Sequence, residues 1–528
     1  MKFNNILKIS LIAFVLFSFN SCLKDLDTEP FYGLNTESVY KDPNNYIHVL
    51  AKLYAGLSLT GNKGPSDSPD ISTSTIDEGS SSYLRVLWNL QELPTDEAIC
   101  GWSDTGIPEM NFGTWSSETV WIKGMYYRIY YQITLCNEFI SQTSDSKMSD
   151  RGFNDADKAK IVTYRNEARF LRALSYYHQL DLFRSGPFVT EDNAGETSLP
   201  RQIFKEELFN YVESELKAVE NSLPEPKQNQ YGRADKAAVW TLLAKLYLNA
   251  EVYVGQNRYT DAVTYSKKVI DSGVFSLDGN YEHLFLADNH LSNEIIFPVP
   301  YDGINTQSWG GTTYLVHASI GGNMIDSDYG VVSGWGGLRA KRSLFELMDS
   351  SNDSRYMFFS DGQQADVDTI SSFYNGFGVE KWKNLDRNGV KGKDPNQTFV
   401  DIDFPLFRLA DVYLMYAEAV LRGGSGGDAG TALNYVNAIR TRAYGNSSGN
   451  FASIDLNNLL DERARELYWE GYRRSDLVRF GKFTNNSYLW QWKGSTRTGT
   501  SIDDYRSVYP IPAADLVANP NLKQNLGY

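Results

Sequence analysis

Three tryptophans in glycine-rich loops are the residues of this chain best suited to binding chemistry. Trp309 precedes two glycines, Trp335 lies in the SGWGG segment, and Trp102 lies in a loop rich in Gly, Ser and Asp. An indole presents a flat apolar face at low entropic cost, and such a face can cover the C–H side of a sugar ring. The sugar hydroxyls then need charged or amide side chains as hydrogen-bond partners. The pattern predicts sugar binding, with packing of each tryptophan in the core as the alternative.

Motifs for catalysis or metal binding are weak in this sequence. Residues 423–427 read GGSGG and match G-x-S-x-G, but that turn follows a strand, whereas a helical pattern precedes it here. The five histidines are scattered, and no H-E-x-x-H, paired C-x-x-C or Walker A motif occurs. We therefore interpret GGSGG as a flexible link and predict no enzyme, no cofactor and no metal site.

A glycoside hydrolase is the catalytic alternative. Such an enzyme needs two carboxyl groups on either side of the sugar, about 5–5.5 Å apart for retention or about 6.5–9.5 Å for inversion. Asp104, Asp326 and Asp328 lie near the three tryptophans in the sequence. The sequence alone leaves this alternative open.

Composition limits the classes of partner. The 528 residues carry a net charge of −15, which argues against nucleic acid, because phosphates require a basic surface. Three cysteines make no disulfide framework. Cys100 and Cys136 could pair, although free thiols are the preferred interpretation.

The N-terminus resembles a lipoprotein signal. Lys2 and Lys8 precede an apolar run at residues 9–19 that is long enough for a signal peptide and too short to span a membrane. Ser21 precedes Cys22, and an acidic segment follows. We predict a signal peptide over residues 1–21 and lipidation of Cys22, with an ordinary secretory signal as the alternative. More than one acyl chain on Cys22 would anchor the chain stably.

Helical periodicity dominates the rest of the chain. Apolar residues at three- and four-residue steps predict helices, and their pairing at intervals of some 30–40 residues suggests tetratricopeptide-like repeats. The predicted helices span residues 44–59, 118–141, 157–184, 201–223, 234–250, 260–273, 338–349, 407–422, 429–443 and 457–480. Residues 83–114 read as irregular, and 294–300 as a short strand.

The most charged of these predicted helices lies within residues 459–483. Leu460, Ala464 and Leu467 define an apolar face. Acidic residues precede arginines at spacings of three or four, which predicts ion pairs of Asp461 and Glu462 with Arg465 and of Glu470 with the two following arginines, Arg473 and Arg474. A structural ion-pair network is a better interpretation than catalysis.

Five blocks of the sequence resemble, in order, the RagB/SusD family of nutrient-binding outer-membrane lipoproteins. They are NEARFLRALSYYHQLDLF, GRADKAAVWTLLAKLYLNA, FPLFRLADVYLMYAEAVLR, ERARELYWEGYRRSDLVRFGKF and IPAADLVANPNLKQNLGY. ELPTDEA, WGGTTYLV and SYLWQWKGSTRTGTS are most similar to the starch-binding members. The resemblance runs from near residue 22 to the end of the chain.

The resemblance implies a mostly α fold in one domain, residues 22–528, with four tetratricopeptide-like units. The helical scaffold would comprise about residues 116–275 and 404–483, and insertions at about 61–114 and 279–400 would form the ligand face.

The resemblance also implies an aromatic arc of Trp102, Trp309 and Trp335, with Arg85 and Asp104 beside it. Two positions depart from the starch-binding pattern: Cys100 replaces a tryptophan, and Trp309 replaces a tyrosine. The implied function is non-catalytic capture of an oligosaccharide, such as starch or a malto-oligosaccharide, at the cell surface. A TonB-dependent, SusC-like outer-membrane transporter would be the partner. A peptide-uptake role within the same family is the other alternative.

Overall fold

The computed structural model describes residues 36–62, 64–65, 69–71, 76–193 and 198–528. The predicted signal peptide and Cys22 lie outside the described residues. Within the described ranges, no helix combines the length and the apolar character needed to cross a membrane.

The fold is mostly α-helical, as predicted, and its longest helices occur where the sequence shows helical periodicity. Asp155–Phe183 begins at Asn154, whose side chain accepts a hydrogen bond from the Asp157 N–H, and such a cap satisfies an otherwise unpaired backbone donor. The helices of the described N-terminal half are Thr36–Tyr40, Tyr46–Ser58, Tyr83–Glu92, Ile107–Phe112, Val120–Gln142, Asp145–Asp150, Asp155–Phe183, Lys205–Glu220, Lys236–Leu248, Ala250–Val254 and Tyr259–Asp271. Those of the C-terminal half are Gly311–Ala318, Arg342–Phe345, Leu409–Leu421, Ala429–Tyr444, Leu456–Leu467, Arg473–Arg479 and Ala513–Ala518.

Successive long helices pack side by side as a tetratricopeptide-like scaffold. Asp155–Phe183 packs between Val120–Gln142 and Lys205–Glu220, and Lys236–Leu248 packs on Tyr259–Asp271. The chain then leaves the scaffold for more than 130 residues and returns at Leu409–Leu421, which packs directly on Tyr259–Asp271. The insertion therefore interrupts the sequence of the scaffold but not its packing.

Strands are short and occur in antiparallel pairs. Ala98–Cys100 pairs with Leu338–Ala340, so that the two predicted insertions meet in one ribbon. Ile295–Val299 pairs with Phe404–Arg408 and confirms the strand predicted at 294–300. The remaining pairs are Gly186–Pro187 with Gln202–Ile203, and Phe358–Phe359 with Gly378–Val379.

Two secondary-structure predictions are wrong. Residues 83–114 are not irregular, since they contain two helices and a strand. Residues 338–349 form the strand Leu338–Ala340 followed by the short helix Arg342–Phe345 rather than one helix. The helix Tyr83–Glu92 and the paired strands Ala98–Cys100 and Leu338–Ala340 are buried almost throughout, so contacts on several sides replace the one-sided apolar pattern on which the predictions relied.

The predicted helix over residues 457–480 is two helices, Leu456–Leu467 and Arg473–Arg479. Between them Trp469 and Gly471 have left-handed φ values of 62° and 80°. Buried carboxylates bind the freed backbone: Glu92 Oε1 accepts the Gly471 N–H at 2.7 Å, and Glu97 Oε2 accepts the Trp469 N–H at 3.1 Å. These hydrogen bonds replace those of a continuous helix, which is why the break is stable.

The predicted ion-pair network exists, but it is buried and most of its partners are distant in sequence. Arg408 is fully buried and binds Glu294, Glu466 and Glu470 at 2.6–2.8 Å. The predicted Glu462–Arg465 pair is present at 3.1 Å. The predicted pairs of Glu470 with Arg473 and Arg474 are wrong. Besides Arg408, Glu470 binds Lys381 at 2.8 Å. Arg473 binds Asp96, and Arg474 binds Asp181.

Breaking this network from its centre should be costly. Arg408→Met removes the cation that Glu294, Glu466 and Glu470 share, and Arg355, Lys381 and Arg442 then neutralise the three buried carboxylates only in part. We expect a loss of about 3–5 kcal/mol in the free energy of unfolding. Guanidinium unfolding followed by circular dichroism measures it. The control is Lys160→Ala, which removes an exposed pair with Asp157 and should change the value by less than about 1 kcal/mol. Equal effects of the two substitutions would contradict a structural role for the network.

Acid should weaken the same network. Burial alone would raise the pKa of Glu466, but Arg442, Arg408 and Arg355 lower it to about 2. A depressed folded-state pKa gives stability that is present above the unfolded value, about 4.5, and is lost as the pH falls towards 2. We expect the melting temperature to fall across this window, and Glu466→Gln to make that fall shallower. An unchanged slope in the variant would show that Glu466 does not carry the effect.

Candidate ligand-binding site

The three tryptophans singled out in the sequence converge in the structure. The ring centroids of Trp102 and Trp335 are 6.5 Å apart, and those of Trp309 and Trp335 are 6.2 Å apart. All three side chains are half-buried, so that each is supported by the protein and still meets solvent. The planes of neighbouring rings are inclined by 42° and 50°, so the three indoles do not form one flat platform.

Trp102 is positioned by the ribbon that joins the two insertions. It follows the strand Ala98–Cys100, and the Gly101 N–H donates to the Gly337 carbonyl at 2.8 Å. The Trp102 indole N–H donates to the Trp335 carbonyl at 3.2 Å. A Cβ on Gly337 would lie 2.4 Å from the Trp102 ring, so the close approach requires glycine.

Trp335 is held against the helix Gly311–Ala318. Its backbone N–H donates to the His317 carbonyl at 2.7 Å, and its ring stacks on the His317 imidazole at 4.7 Å and 20°. The imidazole nitrogens of His317 lie 2.6 and 2.8 Å from the carbonyl oxygens of Ser333 and Thr398. Burial lowers the pKa of His317 below its ordinary value. The imidazole thus fixes the loop that carries Trp335.

Trp309 is supported from the other insertion and from the end of the 279–400 segment. Its backbone N–H donates to Glu78 Oε2 at 3.2 Å, and its ring lies 4.9 Å from that of Phe399. Burial raises the pKa of Glu78. The next residue, Gly310, has no space for a side chain, since its Cβ would meet Ser82 at 2.1 Å.

Arg85 projects from the helix Tyr83–Glu92 into the base of the arc. Its guanidinium lies 4.2 Å from the Tyr314 ring centroid and 5.8 Å from that of Trp102. Arg85 Nε is buried and has no hydrogen-bond partner among the described residues. Stacking on the Tyr314 and Trp102 rings orients the guanidinium.

Asp104 lies in the exposed loop two residues after Trp102. Its backbone carbonyl accepts the Ile107 N–H at 3.0 Å, which helps to begin the helix Ile107–Phe112. The structure places its carboxylate in solvent on the rim, and its predicted contact with a ligand stays a prediction.

Sequence reasoning missed the aromatic residues that support the arc. Tyr314 and His317 lie on a helix that was not predicted, and Phe399 lies near the end of a loop-rich segment. The segment TTYLVHA does carry helix-compatible apolar residues, but it is fully buried and shows no polar face.

The remaining chemical features have structural roles. Cys100 and Cys136 are both buried and free, as preferred above. The GGSGG segment links Leu409–Leu421 to Ala429–Tyr444, with Gly423 and Gly426 at positive φ, which confirms a link between helices. Within the described ranges, no three His, Cys, Asp or Glu side chains are arranged to hold a metal ion.

Comparison with known proteins supports the resemblance drawn from the sequence. A model of the SusD family matches residues 334–528. The starch-binding protein SusD of Bacteroides thetaiotaomicron is 36% identical, with 98% of each chain covered. A SusD-like protein of Bacteroides ovatus is 25% identical over 94% of this chain and 87% of its own length.

Solved structures show the same fold. Surface glycan-binding protein A of Bacteroides thetaiotaomicron, in complex with laminarihexaose, superposes with a TM-score of 0.70 at 21% identity, covering 91% of this chain and 99% of that one. A SusD superfamily protein of Parabacteroides distasonis gives a TM-score of 0.71 at 21% identity, covering 94% and 100%.

The close approach at Gly337 can be tested directly. Gly337→Ala should push the Trp102 indole out of place and cost about 1–3 kcal/mol, as overpacking does. We expect a changed near-ultraviolet circular dichroism spectrum and a lower melting temperature. Gly279→Ala is the matched control, because a Cβ there meets no atom within 4 Å. A Gly337→Ala spectrum identical to that of the control would contradict the tight support of the arc.

Proposed function

The chain belongs to the SusD family, and from this premise we propose that it captures an oligosaccharide at the aromatic arc of Trp102, Trp309 and Trp335. Members of this family are non-catalytic binding proteins, so membership confirms the prediction that the chain is not an enzyme. Family membership therefore also argues against the glycoside-hydrolase alternative.

The convergence of three half-exposed indoles carries the proposal. Each ring can cover the C–H face of one sugar, and because the rings are held by the protein, little further ordering is needed on binding. The Arg85 guanidinium beneath Trp102 supplies donors for sugar hydroxyls, and Asp104 on the rim supplies an acceptor.

The curvature of the arc favours an α-glucan such as starch or a malto-oligosaccharide. Successive ring planes turn by 42° and 50°, so a ligand that lies on all three must itself curve. A straight glucan would contact one or two rings only. The relative with 36% identity is named as starch-binding, which supports the same ligand class.

Capture at the cell surface would serve import. Lipidation of Cys22 would hold the protein on the outer membrane, and a TonB-dependent, SusC-like transporter would receive the ligand. We assign the helical scaffold as the surface that contacts this transporter, because the two insertions carry the arc and therefore form the ligand face. Family membership supports this arrangement.

Substitution of the central indole tests the binding site. Trp335→Ala removes the ring shared by both close pairs, and we expect at least a tenfold loss of affinity, or roughly 1.4 kcal/mol, for maltoheptaose in calorimetry and weaker retention on a starch gel. Trp240→Ala is the control, since Trp240 is also half-buried but lies on the scaffold helix Lys236–Leu248.

The ligand class is tested on the wild-type protein. Maltoheptaose should bind and a mixed peptide library should not, since peptide uptake is the family alternative. Binding of laminarihexaose in preference to maltoheptaose would keep the arc but overturn the α-glucan assignment. Unchanged affinity in a folded Trp335→Ala variant would remove Trp335 from the site.

A further inference from the structure

An open cavity of about 400 Å³ lies beside the aromatic arc and shares Trp102 with it. Its lining includes Gly101, Trp102 and Ser103 from the loop that carries Trp102, together with Phe112, Thr369 and Trp492. Trp102 lines this cavity and also contacts Trp335, so it borders both the cavity and the arc.

Trp492 is held in the cavity by a strained and well-anchored loop. Its φ is 72°, a left-handed value that is uncommon for a bulky residue. The indole N–H donates to the Val367 carbonyl at 2.8 Å, and the Gln491 amide donates to Asp366 at 3.1 Å. Strain of this kind persists where surrounding contacts enforce it, and it is typical of ligand-binding positions.

Phe112 completes a second aromatic pair. It ends the helix Ile107–Phe112, and its ring centroid lies 5.9 Å from that of Trp492. Both side chains are half-buried, as are the three indoles of the arc. The pair therefore keeps part of its aromatic surface open to the cavity.

The rim of the cavity is polar and exposed. Ser103, Thr369 and Ser371 bring hydroxyl groups, and the Asp368 carboxylate pairs with Arg497 at the surface. Apolar rings with hydroxyl and carboxylate groups at the edge match a sugar, which has C–H faces and a rim of hydroxyls.

We propose that the Phe112–Trp492 cavity is a second subsite for the same oligosaccharide and takes sugar rings that extend past Trp102. This inference rests on the proposed function. The protein would then distinguish oligosaccharides by their length. A short oligosaccharide occupies the arc alone, and a longer one occupies both the arc and the cavity.

Calorimetry with maltotriose and maltoheptaose tests the proposal. The wild-type protein should bind maltoheptaose more tightly. Trp492→Ala should weaken maltoheptaose binding about tenfold and leave maltotriose unchanged. Ser371→Arg fills the cavity from an exposed position without removing a buried contact, and it should have the same selective effect. Ser351→Arg, on another exposed loop, is its control and should bind both ligands normally.

Each of the other possible results would contradict a specific part of the proposal. If the wild-type protein binds both lengths equally, or if neither variant affects maltoheptaose, the second subsite is wrong and the proposed function stands. An equal loss of both ligands in folded variants would place Trp492 within the arc and overturn a separate subsite. If the wild-type protein binds neither ligand, the α-glucan function and the subsite fail together.

Discussion

The buried charge network around Arg408 is the interaction on which the rest of the structure depends. Arg408 ends a scaffold strand, and Glu294 immediately precedes its partner strand. Glu466 lies in the last turn of the helix Leu456–Leu467, and Glu470 lies in the break that follows it. Arg355 and Lys381 reach the same carboxylates from the long insertion. A buried charge tolerates few arrangements, because a displaced partner leaves it desolvated and unpaired. We infer that the network stabilises one placement of the insertion on the scaffold.

That placement fixes the aromatic arc. The insertion at 279–400 carries Trp309 and Trp335, whereas Trp102 comes from the earlier insertion, and the ribbon of Ala98–Cys100 with Leu338–Ala340 joins them. The break at residues 468–472 takes part through Glu92 and Glu97, which receive its backbone N–H groups. Site geometry therefore depends on buried polar contacts between distant segments.

Burial perturbs ionisable groups in many parts of the interior, including His317 and Glu78, which support the arc from beneath. Burial raises the pKa of Glu97 to about 8 and that of Asp403 to about 6, and both carboxylates accept backbone N–H groups. In enzymes such shifts cluster around the reacting atoms. Here the arc is built from uncharged rings with one guanidinium, as expected of a protein that recognises the shape of its ligand.

The sequence by itself determined the helical class, the paired helices of the scaffold and the aromatic loops, because periodicity and loop composition are local properties. Tertiary structure alone decided the break at Trp469, the partners of Glu470 and the convergence of the indoles. The Gly471 N–H bonds to a carboxylate 379 residues away, and the Trp102 indole to a carbonyl 233 residues away. The Phe112–Trp492 cavity could not be predicted from the sequence either. Local patterns cannot report such contacts, since the residues become neighbours only when the scaffold and both insertions have packed together.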